Sequence, residues 1–251
     1  MPWRIPERSG TFSAYKILVS EVMLQQTQVP RVIPKYQAFL QEFPTVQALA
    51  KAPLATVLTA WSGLGYNRRA MYLHEAAKQL KSKPIWSYED LIACKGIGPN
   101  TANAVLVYIY NMPLLFIETN IRTVFIHYFF NDSQVVTDAQ MLDLHSATID
   151  KQMPRVWYWS LMDIGSYIKA QHGNKSTKSS SYKKQSPFKG SVRQLRGQVL
   201  KNLQQSSLQE SQLSQLVTDD RLHDVLIKLE SEHLINQYKG SYYLGKNTNT
   251  K

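Results

Sequence analysis

This chain of 251 residues has little cysteine, no long apolar run and few acidic residues. Its single cysteine, Cys94, cannot form an internal disulfide, a four-thiolate zinc site or an iron–sulfur cluster by itself. No apolar run approaches the about 20 residues of a membrane-spanning helix, and the N-terminus has no apolar signal-peptide core. The sequence therefore predicts a cytoplasmic protein that folds without cross-links.

Acidic residues are the third scarcity. The chain has 18 Asp and Glu against 29 Lys and Arg, for a net charge of +11. The stretch 164–209 contains nine basic residues and no acid. This excess predicts an anionic partner, with nucleic acid as the first candidate and a membrane surface as the second. Residues 173–190, the Ser/Lys segment, are typical of a flexible linker or of a loop that contacts phosphates.

Hydrophobic periodicity divides the chain into two parts around the Ser/Lys segment. Residues 1–172 predict an all-α domain with short connections rich in Pro and Gly. Residues 191–246 predict two or three short helices and then two strands around a turn, which is the order of a winged helix; a small helical cap is the alternative. The predicted helices span 15–28, 32–43, 46–50, 54–62, 68–81, 88–93, 100–110, 121–130, 138–151, 155–170, 192–204, 209–216 and 221–232.

Glu21 is a carboxylate in an apolar helix. Ile17 and Leu18 lie one turn before it, and most of its other helical neighbours are also apolar. Burial favours the protonated form of a carboxyl group and raises its pKa, which suits a general acid that works near neutral pH. The alternative is a residue at the edge of the core that reaches water.

A glycine turn, Gly96-Ile97-Gly98, joins two predicted helices. Its glycines allow close approach of another backbone, and the free N–H groups of the second helix can bind an anion. The pattern indicates a helix-hairpin-helix phosphate clamp, although an ordinary helix–helix turn has a similar sequence. The residues predicted to bind DNA phosphates, including two from the Ser/Lys segment, are Lys95, Gly96, Ile97, Gly98, Asn100, Thr101, Lys183 and Lys184.

A second acid, Glu118, lies at the entrance of the next predicted helix. It either interacts favourably with the helix dipole or acts as a second catalytic carboxylate.

Several motifs now resemble one family, in unbroken order over about residues 2–168: 20–29 (SEVMLQQTQV), 43–45 (FPT), 61–66 (WSGLGY), 96–98 (GIG) and 161–165 (LMDIG). They resemble the adenine DNA glycosylases of the MutY type, in the helix-hairpin-helix superfamily that includes endonuclease III. The resemblance implies a two-lobed all-α fold that flips a base from the duplex and cleaves its N-glycosidic bond.

The resemblance also implies roles for individual residues. Glu21 would protonate the purine at N7, and Glu118 stands where the family has an Asp that stabilises charge on the sugar. The extra methylene moves this carboxylate by about one bond length, and misplacement on that scale can cost about 10²-fold in rate. The residues assigned to the base pocket are Trp3, Leu24, Asn120 and Trp159. Gln26 is assigned to the wedge, the side chain that enters the base stack when the base leaves, and Tyr66 to the lesion.

The sequence departs from the family at several places. Asn100 replaces the Schiff-base Lys of bifunctional members, so we expect a monofunctional enzyme. Lys169 stands at the first cysteine of the family's iron–sulfur loop, so no cluster is expected, and we expect the Ser/Lys segment to take over DNA-backbone binding or loop closure electrostatically. Residues 157–160 differ from the family's usual sequence, and the Nudix-like C-terminal domain is replaced by residues 191–246.

Three functions follow as alternatives. The first is excision of adenine opposite 8-oxoguanine or guanine, the second is excision of another base (a U or T mismatch, or a damaged purine), and the third is DNA binding without catalysis. We expect a monomer in the cytoplasm, at the nucleoid, with double-stranded DNA that carries a mismatch or lesion as its partner, and no membrane. The six histidines show no metal-ligand spacing, so no metal site is expected beyond a loosely bound cation at the glycine turn.

Overall fold

The computed structural model describes residues 1–130 and 135–245, which form thirteen α-helices and one small sheet. Short 3-10 helices span Pro2–Arg4 and Lys175–Lys178. The helices are α1 (Ala14–Leu24), α2 (Val29–Glu42), α3 (Val46–Lys51), α4 (Leu54–Ala60), α5 (Arg68–Leu80), α6 (Tyr88–Ile92), α7 (Pro99–Tyr110), α8 (Thr119–Phe129), α9 (Asp138–Thr148), α10 (Pro154–His172), α11 (Val192–Leu203), α12 (Glu210–Leu216) and α13 (Leu222–Ser231). The strands are β1 (Leu208–Gln209), β2 (Ile235–Tyr238) and β3 (Ser241–Leu244).

The helices 1–10 form two lobes, as predicted. In the first lobe α1 packs against α2, α5 and α7, and its apolar residues Leu18, Val19 and Met23 are fully buried. In the second lobe α10 packs along α8, and it also contacts α7 of the first lobe. The ring of Phe116 stacks on that of Tyr158, with the centroids 3.9 Å apart, where the two lobes meet. This arrangement places α1 and the start of α8 near each other.

The two helix boundaries that follow Glu21 differ from prediction. The first helix ends at Leu24 rather than at residue 28, because Gln26 adopts a left-handed conformation with φ of 57°. The next helix begins at Val29, earlier than predicted, because Pro30 in the first turn costs no helical hydrogen bond. A loop therefore follows Glu21 closely and faces the surface.

The first half of the Ser/Lys segment is fastened to the second lobe. The Val136 amide donates to the Lys178 carbonyl and the Ser180 amide to the Val136 carbonyl, both at 2.9 Å. Ser176 and Ser179 are buried, and the 3-10 helix 175–178 packs against α8. This part of the segment is not a flexible linker.

The C-terminal part has the topology predicted for a winged helix. Its sheet has the order β1-β3-β2 with antiparallel pairing, and Ile235 pairs with Leu244. Lys239 and Gly240, both with positive φ, form the two-residue turn between the last strands. Strand β1 adds to the two strands that were predicted. Among the described residues, no helix is both long and apolar enough to cross a membrane.

The C-terminal domain packs against the first lobe. Glu232 accepts a hydrogen bond from Arg196 at 2.5 Å and lies 3.8 Å from the guanidinium of Arg68 on α5. Gly245 lies so close to Ala55 that an added Cβ would be 2.9 Å from the Ala55 nitrogen. These contacts fix the domain relative to the loop that precedes α5.

Candidate active site

Glu21 lies in the middle of α1, with its residue only 8% exposed. Ser13 caps the N-terminus of this helix, because its hydroxyl accepts a hydrogen bond from the Lys16 amide. Burial raises the pKa of Glu21 well above its ordinary value, the charge of Glu118 raises it further, and Arg4 lowers it. The direction of this shift is the one expected for a buried carboxyl group, whose protonated form is favoured by burial.

Glu118 lies at the first position before α8, with extended backbone and no capping bond from its side chain. The side chain of Asn100 holds the preceding residue, because it donates to the Ile117 carbonyl at 3.2 Å and accepts from the Ile117 amide at 3.4 Å. Burial raises the pKa of Glu118 as well. Asn100 therefore joins α7 to the segment that carries the second acid.

The two carboxyl groups interact electrostatically and have unequal environments. Both pKa values are raised by burial, and that of Glu21 is raised well above its ordinary value with a contribution from Glu118. Since two neighbouring carboxylates resist ionising together, the charge of Glu118 favours the protonated form of Glu21. The pair can therefore supply one acid and one anion at the same pH.

Tyr108 is a member of the site that the sequence did not reveal. It lies on α7, is buried, and its pKa is raised well above its ordinary value by burial and then by the charges of Glu21 and Glu118. Its ring lies nearly parallel to that of Trp159, with centroids 5.9 Å apart. Tyr108 and Trp159 thus form an aromatic wall beside the two acids.

Arg4 is a second unexpected member. Its guanidinium donates to both carboxylate oxygens of Asp163 on α10, at 2.7 and 2.9 Å, and lies over the Trp159 ring at 5.5 Å. This pair ties the N-terminal segment to the second lobe. The neighbouring Trp3 is buried, and its ring meets the edge of Tyr36 at 5.3 Å. In the sequence, only its position next to Trp3 could have indicated that Arg4 belongs to the site.

Two other residues predicted for the base pocket, Leu24 and Asn120, contact neighbouring parts of the protein. Leu24 is the last residue of α1 and is partly buried against the core. The side chain of Asn120 donates to the Met162 carbonyl at 3.2 Å and accepts from Lys169 at 3.1 Å, so it joins α8 to α10. Its role in a base pocket stays a prediction. Gly165 lies against Asn120, and an added Cβ would be 2.4 Å from the Asn120 carbonyl oxygen.

Gln26 and Tyr66, predicted at the wedge and the lesion, lie on two exposed loops that Arg69 holds together. Both have positive φ, at 57° and 48°. The buried guanidinium of Arg69 donates to the Val22 carbonyl at 2.9 Å and to the Gly65 carbonyl at 3.1 Å. The sequence did not reveal this role of Arg69, because Val22 lies 47 residues before it. The Arg69 clamp fixes both loops close to the end of the helix that carries Glu21.

The glycine turn has the geometry of an anion site. Gly96 has a φ of 86°, and an added Cβ would be 2.4 Å from the ring of Tyr72. Gly98 precedes α7 without a side-chain cap, so the first N–H groups of α7 are free for a ligand. Ile97 is buried in the core, whereas Lys95 is exposed and lies over the Tyr72 ring at 5.5 Å.

The other predicted phosphate ligands are placed differently. Thr101 accepts from the Gln25 side chain at 3.3 Å, which links α7 to the wedge loop. The Asn100 side chain is engaged with Ile117, so its contribution to phosphate binding would come from its backbone. Lys183 and Lys184 are exposed and precede a residue that bonds to Gln26.

The donor set does not fit an iron–sulfur cluster. Lys169, at the position of the first cluster cysteine, uses its ammonium to bond to Asn120. Cys94 is buried after α6 and donates to the Asp90 carbonyl at 3.3 Å. Within residues 1–130 and 135–245, no three His, Cys, Asp or Glu side chains form a group that could hold a metal ion.

The chain is similar to adenine DNA glycosylases in sequence. It is 37% identical over 176 residues to the adenine DNA glycosylase of Buchnera aphidicola subsp. Baizongia pistaciae, which covers 67% of this chain and 48% of the relative. It is 36% identical over 178 residues to that of Mycolicibacterium smegmatis, covering 67% of this chain and 58% of the relative. The chain thus spans about half the length of the curated relatives it matches.

Solved structures and a family model agree with the fold. A thermostable thymine-DNA glycosylase superposes with a TM-score of 0.58 at 21% identity, over 71% of this chain and 83% of that one. A trapped covalent complex of endonuclease III with DNA gives 0.53 at 16% identity, over 74% and 81%. Residues 19–147, about half of the chain, match the model of a family of base excision DNA repair proteins. The chain therefore belongs to the HhH-GPD superfamily of base excision DNA repair proteins.

Proposed function

We propose that this protein is a monofunctional DNA glycosylase that hydrolyses the N-glycosidic bond of an adenine mispaired with guanine or 8-oxoguanine. The observation that carries the proposal is a pair of interacting buried carboxyl groups, Glu21 and Glu118, in which burial and the charge of Glu118 raise the pKa of Glu21. Glycosidic cleavage requires an acid on the leaving group and an anion near the anomeric carbon.

In the proposed reaction Glu21 gives its proton to N7 of the extruded adenine, which makes the neutral base a leaving group. The C1′–N9 bond breaks, the electron pair goes to the base, and positive charge develops on the sugar. The Glu118 carboxylate stabilises this charge. Water then attacks C1′ and loses a proton, which leaves an abasic site and restores the enzyme after proton exchange with solvent.

Neighbouring groups fit this chemistry. The aromatic wall of Tyr108 and Trp159 offers a surface on which a purine can stack. Arg4, fixed by Asp163, opposes the rise in the Glu21 pKa, because its positive charge favours the ionised carboxylate.

The proposal of hydrolysis without strand cleavage rests on Asn100. A lyase step needs an amine that forms an imine with C1′, and a carboxamide cannot do so. The Asn100 carboxamide is also occupied by the Ile117 backbone. We therefore expect abasic sites to accumulate uncut until alkali is added.

The proposed substrate is duplex DNA, bound by a monomer without an iron–sulfur cluster, in the cytoplasm at the nucleoid. The free N–H groups in the first turn of α7 and the net charge of +11 support binding of the phosphate backbone. The solved structures similar in fold include two complexes of endonuclease III with DNA. Residues 174–181 take the place of a cluster loop through hydrogen bonds, as in the contact between Ser180 and Val136.

The test is base release from labelled duplexes that contain A opposite 8-oxoguanine, G or C, and U·G, T·G and hypoxanthine·T. Adenine release that is lost in Glu21→Gln and in Glu118→Gln supports the proposal. Full activity of Glu21→Gln contradicts the protonation step. Binding without release from any duplex identifies a non-catalytic DNA-binding protein.

A second candidate keeps the chemistry and changes the base. The observation that favours it is Trp159, which lies in the part of α10 where the sequence differs from the MutY family and which forms one wall beside the acids. Release of uracil, thymine or hypoxanthine in place of adenine would establish this alternative.

A further inference from the structure

A short arm of the protein lies across the two exposed loops that carry Gln26 and Tyr66. This arm consists of residues 185–193, from the end of the Ser/Lys segment to the first turn of α11. The Gln185 carboxamide donates to the side-chain oxygen of Gln26. Arg193 donates to the Tyr66 hydroxyl at 2.9 Å and to the Gln185 oxygen at 3.1 Å. One guanidinium, two carboxamides and one phenol thus meet at a single point on the surface.

The position of this arm is fixed from both ends. Arg193 lies in the first turn of α11, whose N-terminus is capped by the Ser191 hydroxyl, and it donates to the Ser186 carbonyl at 2.5 Å. Three residues further along, Arg196 is bound to Glu232 of the C-terminal domain. The packing of that domain against the first lobe therefore holds the arm over Gln26.

The chemistry of this point suits the edge of a purine. When one nucleotide leaves the duplex, its partner stays in the stack and turns an unpaired edge toward whatever fills the gap. A guanidinium donates pairwise to the O6 and N7 acceptors on the major-groove edge of guanine, and a carboxamide can donate to O6 and accept from N1–H on its unpaired edge. The arm has no acid to receive the amino group of cytosine, because the stretch 164–209 contains neither Asp nor Glu.

The existing hydrogen bonds do not prevent this use. Gln26 and Gln185 are exposed, and Tyr66 is 39% exposed. Exchange of an exposed hydrogen bond for one to a base has a small net cost, since water already competes for the same groups. In the free protein these bonds hold Arg193 and Gln185 in place for the base.

We propose that Arg193 and Gln185 read the base opposite the excised nucleotide, with preference for guanine. The proposal rests on the proposed glycosylase function and extends it to a second base. It assigns the choice of the opposite base to a segment of nine residues in this chain.

The test compares single-turnover adenine release from A·G, A·8-oxoguanine and A·C duplexes. In Arg193→Ala and Arg193→Lys, the ratio of the A·G rate to the A·C rate should fall by about tenfold or more, as expected for loss of a bidentate base contact. Lysine keeps the charge and loses the planar fork, so it separates base reading from attraction to phosphate. Lys201→Ala, which removes an exposed charge further along α11, should leave the ratio unchanged.

Other results would overturn the proposal. If Arg193→Ala slows all three duplexes equally and weakens the salt dependence of binding, while Arg193→Lys behaves like the wild type, Arg193 contacts phosphate. If the wild type shows no preference for G over C, the arm does not read a base.

A binding experiment separates this proposal from the proposed activity. Duplexes with a stable abasic analogue opposite G or C need no catalysis. A preference for G that is lost in Arg193→Ala supports the reading role even if the wild type releases no base from any duplex. Absence of that preference in the wild type contradicts it whether or not base is released.

Discussion

Replacement of Glu21 by glutamine should abolish base release and at the same time stabilise the protein at high pH. Glu21 is 8% exposed, and its pKa is raised well above its ordinary value, first by burial and then by Glu118, against an opposing effect of Arg4. In the unfolded chain a Glu ionises near pH 4.3. Above that pH the unfolded state has lost a proton that the folded state still binds, so stability falls as pH rises until Glu21 ionises in the folded protein.

The size of the effect follows from this linkage. Each unit by which the folded pKa exceeds the unfolded one costs about 1.4 kcal/mol once the pH is above both. Glutamine has nearly the same shape and does not titrate. The free energy of unfolding of Glu21→Gln relative to the wild type should therefore increase by at least about 1 kcal/mol between about pH 4.5 and about pH 8.

The assay is urea denaturation of the DNA-free protein across this pH range, with base release measured on the same samples. Glu42→Gln, on the exposed surface of α2, is the control for loss of one carboxylate. If the stabilities of Glu21→Gln and the wild type change in parallel with pH, burial does not keep this carboxyl group neutral. The argument for Glu21 as the acid would then be refuted.

Three further predictions concern position and packing. Glu118→Asp withdraws the carboxylate by about one bond length from an anchored backbone and should slow single-turnover base release by about 10²-fold; an unchanged rate would show that the backbone adapts. Arg69→Met leaves buried carbonyls without a donor and should destabilise the protein by about 3 kcal/mol in thermal or urea unfolding, whereas a neutral effect would mean that the two loops do not need the clamp. Gly165→Ala brings a methyl group into contact with the Asn120 carbonyl and should cost about 2 kcal/mol or more in the same measurement. Gly197→Ala, where an added Cβ meets nothing within 4 Å, is its control and should be neutral or slightly stabilising.

Hydrogen bonds and one ion pair close the second lobe around residues 174–181. Arg122 pairs with Asp138 and donates to the Ser179 hydroxyl at 3.1 Å, and the Ser181 hydroxyl donates to Asp138 at 3.1 Å. These bonds join α8, the start of α9 and residues 174–181. Hydroxyl groups and one ion pair take part in this closure. That the Ser/Lys segment takes over DNA-backbone binding or loop closure electrostatically stays a prediction.

The sequence by itself determined most of the local structure and both acids. Periodicity of apolar residues located the helices, because burial of one face repeats at helical spacing. Glu21 was recognisable because a carboxylate in an apolar helix is costly without a function. The glycine turn was recognisable because left-handed backbone at Gly96 requires glycine. Such signals lie within a few residues of one another.

Only the tertiary structure decided which distant residues meet. Arg69 reaches carbonyls more than forty residues away, and Arg193 reaches the Tyr66 hydroxyl across 127 residues. The side chain of Asn100 turns toward Ile117, so a residue predicted to bind phosphate also holds the segment before Glu118. Local propensity carries no information about such pairs, because their partners are set by how the helices pack. The sequence thus identified the two acids, whereas the packing determined their unequal environments and the residues that surround them.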